Sequence, residues 1–167
     1  MTSAMPPRWL SPAEQRAWRD FLWGGRVVMA GLDRDLRGAG VQASEYEILS
    51  MLSESPGHSM RMSELATLVV QSRSRLTHAA SRLEERGWVM RQPCEEDRRG
   101  VLLTLTEDGL HTLVDLAPLH VDSVRRHLVD LLTPEEFARL GELMSVVRLA
   151  ASVDSAGHTD GPATIDP

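Results

Sequence analysis

The chain has 167 residues, 42% of them hydrophobic, and a formal net charge of −6. This length suits one domain or two small lobes, and the apolar content excludes wholesale disorder. The single cysteine, Cys94, excludes an internal disulfide and favours a cytoplasmic protein. Residues 1–10 lack a secretory signal pattern, and no apolar run approaches the ~20 residues that span a bilayer, so no membrane association is expected.

Helix-capping patterns divide the chain into elements. Capping boxes occur at Ser11–Glu14, Ser44–Glu47 and Thr133–Glu136. The helices predicted from these caps and from apolar periodicity are Pro12–Arg37, Glu45–Glu54, Ser63–Val70, Ser72–Arg86, Glu107–Leu132 and Pro134–Ala151. Two strands, Trp88–Arg91 and Val101–Thr106, flank a polar loop. Pro118 is expected to kink or interrupt the long fifth helix.

The first helix carries two apolar stripes. The larger is Trp18, Phe21, Leu22, Gly25, Val28, Met29, Leu32 and Leu36, and the smaller is Trp23, Val27 and Ala30. One stripe suffices for a helix that covers its own core, so two stripes indicate a helix shared with a partner chain. The alternative is that the smaller stripe is tolerated surface apolarity.

Helix three, a tight turn, helix four and a hairpin follow one another in the order of a winged helix-turn-helix. Residues 71–91 hold five arginines against two acids, which gives a local positive field despite the negative net charge. Helix four has an apolar back and a front of hydrogen-bonding groups that suits the major groove of DNA. The candidate DNA contacts here are Ser72, Arg73, Ser74, Arg75, Thr77, His78 and Arg82. An ordinary solvated helix face is the alternative.

The hairpin tip adds further DNA-binding candidates, Asp97, Arg98 and Arg99. Asp97 can hold one arginine extended by a charge-assisted hydrogen bond, and the other can then enter the minor groove. A flexible solvated loop is the alternative reading of this acidic and basic run.

Three stretches, Ser63–Ala66, Leu76–Val89 and Asp97–Gly109, resemble the MarR family (multiple antibiotic resistance regulators). The Asp-x-Arg wing followed by Leu-Thr and Gly is the most specific part, and the resemblance covers roughly residues 11–151. It implies a dimer with intertwined terminal helices, recognition helices in successive major grooves and wing arginines in the minor groove, with Arg99 at the Asp-x-Arg position. His78 stands where the family often has arginine.

The predicted fold is therefore mainly α with a small β-hairpin wing: a winged helix-turn-helix lobe plus a helical dimerisation lobe. Its parts are a flexible arm (1–10), a dimerisation helix (11–40), the DNA-binding lobe (41–106), C-terminal dimerisation helices (107–152) and a disordered tail (153–167). We expect a homodimeric, nucleoid-associated repressor of inverted-repeat operators. The alternatives are a winged-helix module for protein contacts without DNA function, or a nonspecific architectural DNA binder, although the latter would favour a high positive charge.

A small phenolic or aromatic-acid effector is expected between the dimer-forming helices and the winged lobe, a location that the resemblance supplies. Its candidate walls are Trp23, Arg26 and Tyr46. No enzyme is expected, because nucleophile elbow, phosphate loop and HExxH motifs are lacking. No metal or cofactor is expected either: the His111/Asp115 and His120/His127 spacings lack the further ligands of zinc-binding relatives. Cys94 lies in the wing, where a free surface or half-buried thiol is the preferred interpretation, since redox-sensing relatives place their cysteine in the first helix.

Overall fold

The computed structural model describes residues 7–69, 72–94 and 100–156. The chain divides into two compact units, Met1–His127 and Leu128–Pro167. The first contains α1 (Pro12–Gly38), α2 (Ala43–Glu54), a 3₁₀ turn (Pro56–His58), β1 (Ser59–Arg61), α3 (Met62–Leu68), α4 (Arg73–Glu85), β2 (Val89–Pro93), β3 (Val101–Leu105) and α5 (Glu107–His127). The second contains a 3₁₀ turn (Val129–Leu131) and α6 (Pro134–Ala156). The mainly helical fold class is confirmed.

Two of the three predicted capping boxes are confirmed. The Glu14 carboxylate accepts a hydrogen bond from the backbone N–H of Ser11 at 2.7 Å, and the Ser11 hydroxyl accepts one from the N–H of Glu14. Thr133 and Glu136 make the same reciprocal pair at the start of α6. These bonds satisfy N–H groups that lack partners within the first turn of a helix.

The predicted box at Ser44–Glu47 is wrong, because α2 begins two residues earlier than that pattern requires. Gln42 has the extended backbone of an N-cap residue (φ −79°, ψ 149°). Its N–H donates to the carboxylate of Glu45 at 2.9 Å, so Glu45 is the acid that closes the first turn. Glu47 is thereby free of a capping role.

The sheet has three strands where a two-stranded hairpin was predicted. The strand order is β1-β3-β2 with antiparallel pairing throughout. Ser59 of β1 pairs with Thr104 of β3, and their hydroxyl oxygens lie 2.9 Å apart. A strand of only three residues is too short to show the alternation that identifies strands in a sequence.

The fifth helix differs from its prediction at Pro118 and at its end. The helix continues through Pro118 without the interruption considered for it, and it ends at His127 instead of Leu132. Leu128 leaves the helical region (φ −145°, ψ −61°), and a short 3₁₀ turn follows. The last helix continues to Ala156, past the predicted start of the tail at residue 153, and residues 157–167 lie outside the described residues.

The core of the first unit draws on five helices and two strands. The predicted apolar back of α4 is confirmed, since Leu76, Ala79, Ala80 and Leu83 are all buried. They pack in one cluster with α2, α3 and the sheet through Ile48, Leu49, Leu52, Leu65, Val89 and Leu103. Leu68 of α3, in contrast, is 52% exposed and does not belong to this core. None of the helices in the described part of the chain is long and apolar enough to cross a membrane.

Candidate nucleic-acid interface

The outward face of α4 carries most of the predicted DNA contacts. Ser72 caps the helix by accepting a hydrogen bond from the N–H of Arg75 at 3.4 Å. Beyond it, four hydrogen-bonding side chains are exposed: Ser74, Arg75, Thr77 and His78. The guanidinium of Arg75 makes no hydrogen bond or ion pair with any described residue. The helix therefore presents donors and acceptors to solvent while its buried back fixes its orientation.

Arg82, also predicted as a DNA contact, has an internal partner. Its Nε donates to Oε1 of Glu45 at 2.7 Å, and its Nη2 lies 3.4 Å from the amide oxygen of Gln42. The Glu45 side chain is 1% exposed, whereas that of Arg82 is 39% exposed. The structure thus gives Arg82 a place in a buried ion pair that joins α4 to the start of α2, and DNA contact by Arg82 stays a prediction.

Two more of the five arginines that produced the local positive field are used within the protein. Arg86 donates to the carbonyl oxygen of Gly40 at 2.9 Å and lies over the Trp88 ring, with its guanidinium carbon 4.8 Å from the ring centroid. Arg91 of β2 is paired with the Glu84 carboxylate of α4. The ion pairs of Arg82 with Glu45 and of Arg91 with Glu84 therefore offset part of the positive field that the sequence suggests at α4. The side chain of Arg73 lies outside the described part of the structure.

Arg91 also holds strand β2 of the wing against α4, where the wing means β2, β3 and the loop between them. Its Nη2 donates to the carbonyl oxygen of Thr77 and to the hydroxyl of Ser81, both at 3.0 Å. Its backbone N–H donates to the Glu84 carboxylate at 3.1 Å. One strand side chain thus bonds to two successive turns of the helix.

The wing loop begins and ends at described residues. The N–H of Cys94 donates to the carbonyl oxygen of Gly100 at 3.0 Å, which extends the β2–β3 ladder by one bond. Cys94 is a free thiol and is buried, not the surface or half-buried group that was expected. The predicted contacts Asp97, Arg98 and Arg99 lie outside the described residues.

The three predicted effector residues do not come together. The Arg26 guanidinium lies over the ring of Trp23, 5.6 Å from its centroid, on the exposed side of α1. Tyr46 instead stacks on His120 of α5 with ring centroids 4.2 Å apart. Tyr46 lines a cavity of about 250 Å³ among α1, α2 and α5, whose other walls are Met29, Leu32, Leu36, Ala43, Glu47, Ser50, Met51 and His120.

A polar cluster between α1 and α5 was not anticipated from the sequence. The Asp35 carboxylate accepts hydrogen bonds from the buried Ser123 hydroxyl at 2.6 Å and from Nε2 of His127 at 3.0 Å. The Ser123 bond, followed by His127 and by the nearby Arg126 guanidinium, holds the pKa of Asp35 below its usual value. Gly31 leaves room for the His127 ring, because a Cβ there would lie 2.7 Å from it. This cluster fixes α5 on α1.

The histidines that shared a helix face in α5 serve these contacts, His120 with Tyr46 and His127 with Asp35. Within the described ranges, no three His, Cys, Asp or Glu side chains lie close enough to hold a metal ion.

Comparison with known proteins identifies the family. Residues 41–101 match the model of the MarR family. AbsC, a MarR family regulator from Streptomyces coelicolor, is 46% identical and superimposes with a TM-score of 0.78 over 87% of this chain and 99% of its own. Sco3205 from the same organism, crystallised in complex with DNA, is 44% identical, with a TM-score of 0.78 over 86% of this chain and 90% of its own.

Characterised relatives also match. The transcriptional repressor MprA of Escherichia coli is 35% identical over 54% of this chain, and the match spans 52%, about half, of its own length. PecS of Dickeya dadantii, an HTH-type transcriptional regulator, is 31% identical over 72% of this chain and 73% of its own length. The chain therefore belongs to the MarR family of winged helix-turn-helix transcriptional regulators, which are not enzymes.

Proposed function

We propose that the protein is a sequence-specific DNA-binding repressor that acts on inverted-repeat operators. The observation that carries this proposal is the exposed face of α4, which presents Ser74, Arg75, Thr77 and His78 and on which the Arg75 guanidinium has no partner among the described residues. Side chains of this kind read base edges in the major groove. The DNA complex of Sco3205 and the repressor function of MprA support the same assignment. A chromosomal target would place the protein in the cytoplasm, on the nucleoid.

Arg75 and His78 are expected to supply sequence preference. Arg75→Ala should weaken binding to the best operator by about 1–3 kcal/mol and weaken binding to scrambled DNA by less. Fluorescence anisotropy at physiological salt measures both affinities. Arg139→Ala provides a control of equal charge change, because Arg139 is 67% exposed on α6, where it pairs with Glu142. Equal losses on both DNAs for Arg75→Ala would contradict a base-reading role.

The wing arginines are expected to supply affinity more than specificity. Arg98 and Arg99 would reach the phosphate backbone or the minor groove, which discriminate poorly among sequences. Arg99→Ala should therefore weaken operator and scrambled DNA by similar factors and reduce the salt dependence of binding. A loss confined to the operator would assign the reading of bases to the wing instead.

The repressor is proposed to be a homodimer. Each unit exposes large apolar side chains: Trp18, Phe21, Trp23, Val27 and Met29 on α1, and Val146, Val147 and Leu149 on α6, with exposures between 51% and 68%. Exposed apolar groups in this number mark an interaction surface, and a second copy would bury them. A twofold dimer also matches the symmetry of an inverted repeat. Sedimentation equilibrium at micromolar concentration tests this, and a folded monomer would contradict it.

Release by a small aromatic effector completes the proposal. The cavity beside Tyr46 offers an apolar wall with a polar rim for such a molecule. To change the protein from mostly bound to mostly released, the effector would need roughly a 10⁴-fold preference for the non-binding conformation. Arg26 lies over Trp23 and does not line this cavity, so a salicylate-like effector held by Arg26 would bind elsewhere on α1, and Arg26→Ala should then abolish release by that acid without affecting DNA binding. No change in DNA affinity at millimolar aromatic acid would exclude this class of effector.

A further inference from the structure

The cavity among α1, α2 and α5 has an apolar wall and a polar wall. Its apolar part comes from methionine and leucine side chains: Met29, Leu32, Leu36 and Met51. Its polar part comes from Tyr46, Glu47 and Ser50 of α2 and from His120 of α5. No arginine is among the residues that line it, and the chain contains no lysine.

Glu47 supplies the one acidic group of this wall. Its carboxylate forms no hydrogen bond or ion pair with any described residue, and the capping role predicted for it belongs to Glu45. Burial raises the pKa of Glu47, since a half-buried carboxylate without a partner favours its neutral form. A positively charged ligand group would compensate the ionised form.

The facing group from α5 does not supply that charge. His120 stacks on Tyr46, and burial lowers its pKa below the usual value of about 6.5. At neutral pH the His120 imidazole is therefore uncharged.

We propose that this cavity binds a small organic cation, with its ammonium group at the Glu47 carboxylate and its apolar body against Met51 and the Tyr46 ring. The volume of about 250 Å³ lies just below the range of pockets for drug-sized ligands and fits a single-ring amine. An aromatic acid in the same place would bring its carboxylate towards Glu47 with no cation in the wall. Ligand binding itself requires no DNA, but its regulatory consequence rests on the proposed function.

Isothermal titration of the full chain with three probes of one shape tests this charge preference. The probes are benzylamine, benzyl alcohol and benzoate, which present a cationic, a neutral and an anionic group on the same ring. We expect the wild type to bind benzylamine about tenfold more tightly than benzyl alcohol, because a hydrogen bond to a charged group adds about 1.5 kcal/mol. Benzoate should bind most weakly.

Two substitutions on α2 locate the preference. Glu47→Gln keeps the size of the side chain and should abolish the difference between benzylamine and benzyl alcohol. Glu54→Gln is the matched control, because Glu54 is exposed on the same helix and does not line the cavity. It should keep the wild-type order of affinities.

The outcomes separate this inference from the proposed function. Benzoate binding as tightly as benzylamine, an unchanged preference in Glu47→Gln, or no binding of any probe at millimolar concentration would each overturn the cation site. Tight binding of benzylamine to the wild type, lost in Glu47→Gln, would establish the cation site. If benzylamine then leaves the operator affinity unchanged, only the release of DNA by a cavity ligand is refuted. If the protein binds no operator DNA, the proposed repressor function is refuted, but the titration still decides whether the cavity binds a cation.

Discussion

Replacing Arg82 by methionine tests whether this arginine stabilises the fold or contacts DNA. Methionine keeps much of the aliphatic stem but removes the guanidinium that pairs with Glu45 at 2.7 Å. Breaking a buried ion pair on one side costs about 3–5 kcal/mol. Arg82 is 39% exposed and Glu45 keeps its bond from the N–H of Gln42, so we expect a smaller loss, about 1.5–3 kcal/mol.

Urea unfolding at fixed protein concentration measures this loss, because the stability of a dimer depends on concentration. Arg75→Met is the matched control on the same helix and should change stability by less than about 0.5 kcal/mol. The double variant Arg82→Met/Glu45→Gln should recover part of the loss, since it leaves no unpaired buried charge.

The reasoning would be refuted if Arg82→Met unfolded at the wild-type urea concentration while losing operator affinity as strongly as Arg75→Met. Arg82 would then be a DNA contact, as its place on the front of α4 suggests. A destabilised variant whose folded fraction keeps its operator affinity would assign Arg82 to the fold alone.

Three further changes probe other parts of the structure. Gly109→Ala should lower the free energy of unfolding in urea by about 3 kcal/mol or more, because the new Cβ would lie 2.0 Å from the Trp88 carbonyl oxygen. Gly24→Ala, which has open space around it, should instead raise the free energy of unfolding by about 0.5–1 kcal/mol. Asp35→Asn should lower the free energy of unfolding at neutral pH and make it depend less on acid pH. Folding lowers the pKa of Asp35, so the stability that Asp35 contributes is present above the ordinary aspartate range and is lost as the pH falls through the lower folded-state pKa. Urea midpoints of the wild type and the variant, measured below about pH 5, should therefore converge. Ser72→Ala should cost about 1 kcal/mol through loss of the α4 cap, and a larger loss than that of Ser72→Gly would confirm capping as the cause.

The helices were predictable because their signals are local. Ser11–Glu14 and Thr133–Glu136 define helix starts within four residues, and the apolar positions of α4 repeat at helical spacing. The β1 strand was missed because Ser59–Arg61 becomes a strand only through pairing with β3, more than forty residues later. The end of α5 was placed too late because apolar residues continue past His127 into the 3₁₀ turn.

The candidate site was predicted in outline but not in its use of charge. The exposed front of α4 follows from side-chain periodicity alone. Arg82 pairs with Glu45, 37 positions away in the chain, and Arg91 pairs with Glu84. Both ion pairs depend on tertiary structure, so from the sequence alone these arginines were expected to be available for DNA. For the same reason Arg26 and Tyr46 were grouped as one site, although Arg26 lies over Trp23 and only Tyr46 reaches the cavity.

The bonds from Arg91 to Thr77, Ser81 and Glu84 have a mechanical consequence for the proposed complex. Because a strand of the wing is fastened to two turns of α4, the angle between them is fixed within each protomer. In a complex with DNA, α4 and the β2–β3 strands would then move together as one rigid element. Inserting a base pair between half-sites rotates one of them by about 35° around the DNA axis. The strands of the wing cannot turn relative to α4 to follow that rotation, so the misfit has to be accommodated outside this element, for example by twisting of the DNA.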